Sequence, residues 1–506
     1  MNSLKPILIK LIYALTCLIA CQCFAAGVGP TFDTNSPSIL IQNVRIADGR
    51  SSDPGEITSI FIKNGLIVDI APTIEVAADR TLDFDEAYVS PGMIDSHVHL
   101  MWSPGCSFVY PEATAENWRQ TCGKLLPEYL RGYLASGFTT IIDNAVPRFV
   151  IEEIEVLYAT GSPGPQYHYM SPVLYAPGGY GSVLPFGDDN FVGVTTPEDV
   201  RNAFSDENLK GSLGVKVLLE NNFFDSGILS YFDIPTHGDA VLEEINKEAR
   251  DKDRLIFVHV TSEYNMSRAI EHLRPNTFVH TLIGRESPLS SQMVDRIRDA
   301  GIYQATTQQI ADSWLTQDNL QKIERPFVTS VVPGPELAVA RDAANGPLAK
   351  LRMQEAQLQN APWFMKWILS NKFQQVLSSS TIQNSSRLAK QALADLHKAG
   401  VPIVLGSDSL QHPFAIYTFH GASSVNELLI VSKLGLSPFE TLKAATITPA
   451  QMLGLDDEIG TVEIGKKADL LIFTTNPLTD IEALSSPIWV VKTGVAKTPA
   501  GWMASQ

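Results

Sequence analysis

His97 and His99 stand one residue apart at the end of the segment Tyr88-Val-Ser-Pro-Gly-Met-Ile-Asp-Ser-His-Val-His99. The run Met93–His97 reads as a buried strand, and residues two apart on a strand project to the same side. Two imidazoles aimed at one point supply half of a tetrahedral or bipyramidal metal site. A pair of surface histidines is the alternative, and the flanking Val98 and Leu100 argue against it. Four more metal-capable residues close predicted strands: Lys216, His259, His280 and Asp408, the last within Gly406-Ser-Asp-Ser409. A lone histidine at a strand end is commonly structural. Six such groups converging on one barrel mouth would make a site. Lys216 is the unusual member, set between Val215 and Val217 with Leu218 and Leu219 following. Burial lowers an amine from its ordinary pKa of about 10.4. A neutral amine can add carbon dioxide and become a carbamate, an anion able to bridge two cations. Pairing with a carboxylate inside the barrel is the alternative.

These groups need a frame that gathers strand ends. Candidate strands are Met93–His97, Phe138–Asp143, Gln166–Leu174, Gly214–Leu219, Leu255–His259, Asn276–His280, Gly301–Gln304 and Pro402–Gly406. Helical stretches such as Val150–Tyr158, Asp239–Lys252 and Ser290–Ala300 lie between them. Alternating strands and helices predict an α/β fold, a (β/α)8 TIM barrel with its chemistry at the carboxyl ends of the strands. Ser38–Ala47 and Ser59–Asp69 are β-rich, with Asn64-Gly65 as a hairpin signal, and Gly460–Phe473 and Ile488–Gly494 have a similar texture. The two ends are therefore expected to form one small β-sandwich. The implied division is a signal peptide over 1–26, the amino-terminal share of the sandwich over 35–89, the barrel over 90–455 and the carboxy-terminal share of the sandwich over 456–506. Residues 306–382 exceed a normal connection and carry Trp314, Trp363, Phe364, Trp367 and Phe373. A lid over the site or a peripheral helical insertion both fit.

The chain has 506 residues, 44% hydrophobic and 18% charged, which suits a packed globular protein and argues against disorder. Its net charge of −17 disfavours nucleic acid and anionic membrane as partners of the folded region. A small-molecule substrate is the expected partner, and a homo-oligomer is compatible. Lys5 and Lys10, the apolar run Leu11–Ala20 and the small residues Cys23, Ala25 and Ala26 read as an export signal, so a periplasmic or secreted location is expected. Leu18-Ile-Ala-Cys21 offers lipidation at Cys21 as the alternative to plain cleavage. Cys106 and Cys122 survive either route, as a disulfide or as two buried thiols.

The run ending in His97 and His99, with Lys216, His259, His280 and Asp408, resembles the amidohydrolase superfamily. More narrowly it is similar to exported relatives of imidazolonepropionase and prolidase-like hydrolases. Ala445-Thr-Ile-Thr-Pro-Ala-Gln-Met-Leu-Gly454 and Gly465-Lys-Lys-Ala-Asp-Leu470 share the likeness, which spans about 38–500. The resemblance implies two divalent metal ions, zinc by preference. His97, His99 and Asp408 would hold one and His259 and His280 the other, with carbamylated Lys216 and a hydroxide bridging them. Asp408 would then move the proton from the attacking hydroxide to the leaving amine. The implied reaction is hydrolysis of a C–N bond in an amide, dipeptide or cyclic amide. Ester, lactone or phosphotriester hydrolysis on the same site is the alternative, and a non-catalytic exported binding protein is another. One departure stands out. Relatives carry Gly-Gly-His after the third strand, whereas this chain has Ala176-Pro-Gly-Gly-Tyr-Gly181. Tyr180 can donate a hydrogen bond to a developing oxyanion or simply pack in a turn. Arg148, Arg285 and His420 are secondary candidates for holding substrate, with ion pairing or packing as the alternative. His168 reads as a core histidine satisfied by backbone. His412 follows Asp408, and His237, His272 and His397 read as solvated.

Overall fold

The computed structural model describes residues 27–30, 37–101, 115–183, 190–221, 234–282, 285–310, 319–345, 379–409 and 418–504. Strands β1 (Ile39–Ile46), β2 (Thr58–Lys63), β3 (Leu66–Ala71) and β4 (Arg80–Pro91) come from the amino-terminal region. The barrel strands are β5 (Met93–Val98), β6 (Phe138–Asp143), β7 (Gln166–Tyr175), β9 (Gly214–Leu218), β10 (Leu255–His259), β11 (Thr277–Val279), β12 (Tyr303–Ala305) and β13 (Ile403–Val404), with the short β8 (Phe191–Gly193) beside β7. Strands β14 (Leu470–Phe473), β15 (Trp489–Lys492) and β16 (Val495–Lys497) return to the terminal sheet.

The eight barrel strands run parallel in the order β13-β12-β11-β10-β9-β7-β6-β5, and a parallel bridge from Val98 to Ser409 closes the circle. The (β/α)8 architecture is therefore as expected. Alternation along each strand sends one set of side chains inward. Ile94, Ile142, Met170, Phe257, Val279, Ala305 and Val404 fill the interior. Leu453, Leu455 and Ile459 from the chain after the last barrel helices belong to the same cluster. Outside, the helix Asp239–Asp251 buries Val241, Leu242, Ile245 and Ala249, the one-sided spacing of a helix laid on a sheet. Its neighbour Pro197–Ala203 starts with a capping box between Thr196 and Asp199. Between β9 and β10 the backbones approach so closely that a Cβ on Gly214 would lie 2.0 Å from the Leu255 carbonyl oxygen.

The two chain ends do pair. They form one seven-stranded sheet in the order β16-β15-β14-β4-β1-β2-β3. This sheet curls towards itself: Leu66 bridges Lys467, and Ile67 donates to the Lys466 carbonyl at 2.9 Å. Its interior holds Ile39, Ile41, Ile60, Ile62, Val89, Leu470, Ile472 and Val491. Only Gly92 separates β4 from β5, so the terminal sheet anchors the strand that carries His97.

Some expectations shift. The seventh strand covers Tyr303–Ala305 rather than Gly301–Gln304. The eighth shrinks to Ile403–Val404, because Gly406 leads at once into an irregular turn. The long connection holds the helices Asn319–Ile323, Pro326–Thr329 and Gly334–Asn345 before the helix Ser379–Lys398. Trp314, Trp363, Phe364, Trp367 and Phe373 lie outside the described residues, as do the export signal and its Cys21. Among the described residues no helix is long and apolar enough to cross a membrane.

A buried ion pair locks the terminal sheet. The Lys492 ammonium donates to Asp469 Oδ2 at 2.6 Å, and the Thr493 backbone N–H donates to Oδ1 of the same carboxylate at 2.8 Å. Both charged side chains are under 5% exposed. Removing one partner leaves an uncompensated buried charge. Asp469→Ala is expected to lower unfolding stability by about 3–5 kcal/mol, seen as a fall in the urea midpoint. Lys492→Met should cost less, because the carboxylate keeps its backbone donor.

Candidate metal centre

The barrel closes at the carboxyl ends of its strands through backbone contacts between β5 and the chain after β13. Ser96 donates to the Leu405 carbonyl at 2.8 Å, Asp408 to the His97 carbonyl at 2.7 Å, and His99 to the Ser409 carbonyl at 3.1 Å. This seam sets Asp408 against the first two histidines. Asp408 Oδ1 lies 2.9 Å from His99 Nε2 and 3.3 Å from His97 Nε2, and Oδ2 lies 3.7 Å from His280 Nδ1. The rings of His97 and His280 are 5.4 Å apart, and those of His259 and His280 4.7 Å. Parallel pairing sets Lys216 beside Phe257, two residues before His259, and the Lys216 charge acts on His97, His259 and His280. All six sequence candidates therefore meet in one place, each no more than 6% exposed.

Burial acts strongly on His97, His259, His280 and Lys216. It pushes His97 down to about 3, reinforced by Lys216, and drives His259 and His280 well below the ordinary histidine value. Neutral imidazoles are the ligand form. Burial pushes the Lys216 amine down to about 7, against the pull of Asp408. Burial would raise Asp408, yet His97, His99 and His280 hold it well below the usual carboxylate range.

A divalent metal fits these residues. Nδ1 of His97, Nε2 of His259 and Nζ of Lys216 are buried with no hydrogen-bond partner among the described residues. Ligand atoms of His97, His280 and Asp408 lie within 4.8 Å of one another. Unpartnered lone pairs at that density are costly unless a cation satisfies them.

A second layer holds these side chains. The Asp95 carboxylate accepts from the His97 N–H at 3.1 Å, the Ser407 N–H at 3.0 Å and the Ser424 hydroxyl at 2.6 Å. It thereby ties the first strand, the eighth-strand turn and the helix Ala422–Ser432 together. Burial pushes Asp95 up to about 6 despite these donors. Asp143, at the end of β6, sits 4.0 Å from His99 Nδ1 and accepts from Leu100 N–H at 3.0 Å and the Tyr167 hydroxyl at 3.3 Å. Such carboxylates orient ligand imidazoles. Neither acid was singled out from the sequence. Asp143 could have been found by counting every carboxylate at a strand end, and Asp95 by noting an acid two residues before His97.

The secondary candidates fare differently. The Tyr180 ring packs 4.7 Å from that of His259, at the mouth of the site, and burial holds its phenol well above the ordinary value, so it stays a donor. Arg285 is buried in an ion pair: it donates to Glu220 Oε1 at 3.0 Å and to the Thr261 carbonyl at 3.0 Å. Arg148 donates to Asn190 Oδ1 at 3.1 Å. His420 is buried, with Nδ1 3.1 Å from the Tyr133 hydroxyl and its ring 4.5 Å from that of Tyr129. For these three, the geometry displays protein partners. Cys122 is buried and disulfide-bonded, with its partner cysteine outside the described residues, where Cys106 and His412 also lie. His237 is a correction: it is 2% exposed, with Nε2 3.4 Å from the Leu174 carbonyl, because the chain before the helix Asp239–Asp251 folds onto β7. His272 and His397 are only partly covered, and each lies beside carboxylates. His168 is buried, but its Nδ1 lacks the expected partner among the described residues.

A parallel barrel with a buried imidazole, carboxylate and lysine cluster at the carboxyl ends of its strands is an arrangement able to hold divalent metal. The model of the amidohydrolase family matches residues 365–496. A 5-methylthioadenosine/S-adenosylhomocysteine deaminase from Caldanaerobacter subterraneus subsp. tengcongensis is 37% identical over 82 residues, 16% of this chain and 19% of that protein. An imidazolonepropionase from Symbiobacterium thermophilum is 50% identical over 42 residues, 8% of this chain and 10% of that protein. The chain thus spans about a fifth or less of the length of these curated relatives. The solved structure of a Xaa-Pro dipeptidase with bound methionine superimposes with a TM-score of 0.63 at 19% identity, covering 91% of this chain and 99% of that one, which establishes a shared fold. The likeness to the amidohydrolase family thus rests on residues 365–496.

Lys216 provides a pH signature of the metal-free protein. Its folded pKa of about 7 lies below the ordinary 10.5, so the unfolded chain binds more protons between those values. Stability should rise with pH from about 7 towards 10, by at most about 1.4 kcal/mol per unit, and this slope should vanish in Lys216→Met. Urea unfolding of both proteins at several pH values measures it.

Proposed function

We propose that this protein is a divalent-metal-dependent hydrolase that cleaves a C–N bond in an amide, dipeptide or cyclic amide. The convergence of His97, His99, Lys216, His259, His280 and Asp408 in one water-poor cluster carries this reading. His97, His99 and Asp408 would hold one ion and His259 and His280 a second, zinc by preference. A carbamate on Lys216 would add an anionic oxygen donor to the same site. Bound cations would supply an acidified water and a polarised carbonyl.

The protein's own groups supply the rest. Lys216, held close to neutral, can add carbon dioxide through its amine lone pair and release one proton, which yields the carbamate. Asp408 accepts the proton of the attacking water and delivers it to the leaving nitrogen as the C–N bond breaks. Water oxygen ends on the carbonyl carbon, and the products are a carboxylic acid and an amine. The Tyr180 hydroxyl donates towards the oxygen that gains negative charge. Around it, Ala145, Val173 and Leu218 with Tyr175 and Phe191 make a small apolar cluster. An apolar group flanking the scissile bond suits that wall. We place the mature protein outside the cytoplasm, after removal of residues 1–26.

Zinc-loaded protein supplied with bicarbonate should turn over members of a panel of dipeptides and N-acyl amino acids. A lactone and an organophosphate serve as controls. Asp408→Asn is expected to lower kcat/KM by about 10²–10⁴-fold, in the range of a lost proton-transfer group. Metal analysis of the same variant separates that loss from loss of the ion. Turnover confined to the controls, or unaltered turnover in Asp408→Asn, would remove the amide reading.

A further inference from the structure

We propose that Glu427 is a positioning residue for His280, acting through the backbone of Gln308 and Gln309 and the hydroxyl of Thr307. The proposal rests on the metal-binding reading of His280. Glu427 lies on the helix Ala422–Ser432 and is fully buried. Its carboxylate accepts two consecutive backbone donors, Gln308 N–H at 2.7 Å and Gln309 N–H at 2.9 Å. The residue just before them, Thr307, has φ +47°, a left-handed conformation that disfavours a β-branched side chain. Such a backbone persists only where surrounding bonds over-determine it. Glu427 provides two of those bonds, and the Thr307 N–H donation to Gly406 O at 2.9 Å provides another.

The strained geometry has a visible consequence. Thr307 Oγ1 lies 3.0 Å from His280 Nδ1, and His280 itself has φ +72°. The Gln309 side chain also donates to the Ser407 carbonyl, one residue before Asp408, where φ is +51°. One carboxylate thus braces the turn that touches His280 on one side and the approach to Asp408 on the other. A carboxylate suits this task because both its oxygens only accept. A glutamine would turn an N–H₂ against one of the two backbone donors.

The test compares Glu427→Gln, Thr307→Val and Thr307→Ser in the full chain, each checked for cooperative thermal unfolding. Two quantities are read: zinc affinity by chelator competition, and the ¹⁵N shifts of the His280 ring in the metal-free protein. Glu427→Gln and Thr307→Val should each weaken zinc binding by about 10–100-fold and displace the His280 Nδ1 signal in the same direction. Thr307→Ser keeps the hydroxyl and should restore both. Combining Glu427→Gln with Thr307→Val should weaken binding little beyond either alone. Folded Glu427→Gln with wild-type His280 shifts and zinc affinity would overturn the proposal. If Glu427→Gln does not fold, Glu427→Asp takes its place under the same criterion. If the wild-type protein binds no zinc, the metal reading falls, while the His280 shifts still decide whether Glu427 sets that ring.

Discussion

The structure turns on a single seam, where the first barrel strand meets the chain leaving the eighth. A carboxylate at that seam, Asp408, is enclosed by three imidazoles at 2.9, 3.3 and 3.7 Å. In water such a group would be hydrated. Here the surrounding barrel strips the water away, so its charge and the neighbouring lone pairs act on each other with little screening. The same desolvation keeps His97, His259 and His280 neutral and pushes the Lys216 amine down to about 7. An electron-rich cluster of this kind has a driving force for capturing a cation.

That arrangement is unfavourable for the empty fold, and the rest of the molecule is arranged to sustain it. His280, Thr307 and Asp408 all take left-handed backbone conformations at the ends of neighbouring strands. Asp95 and Glu427, both buried, gather backbone N–H groups from the chain segments beside the ligands. Both are served by one helix, in which Ser424 binds Asp95 and Glu427 binds the turn after β12. Because Ser424 and Glu427 are three residues apart, a single helical face reaches both supports. The terminal sheet contributes from the opposite end, since β4 runs through Gly92 directly into β5.

Electrostatic support of this type differs from packing. Leu, Ile and Val exchange within the barrel interior would alter stability while leaving a cluster that can still bind. A carboxylate that holds two backbone N–H groups has no such substitute. The buried Arg285 and Glu220 pair next to Thr261 belongs with these supports, since its charges satisfy each other at the strand ends. The arginine read from the sequence as a possible grip on substrate is thus already engaged within the protein.

The chain by itself was sufficient to single out the residues that cluster at the strand ends and to predict the barrel. Polar residues that interrupt apolar strand runs, as Lys216 does between valines, betray an inward position through the two-residue period of a strand. The family likeness follows from the same residues. The supports were not legible, because their partners lie far apart: Ser424 and Asp95 are 329 residues apart, and Gln308 and Glu427 are 119 apart. Nor could local pattern distinguish a solvated His237 from one folded onto β7. Local sequence determines which way a side chain faces along its own strand. Only the closed barrel determines which distant groups share the desolvated space there, and that shared space sets their charge and their partners.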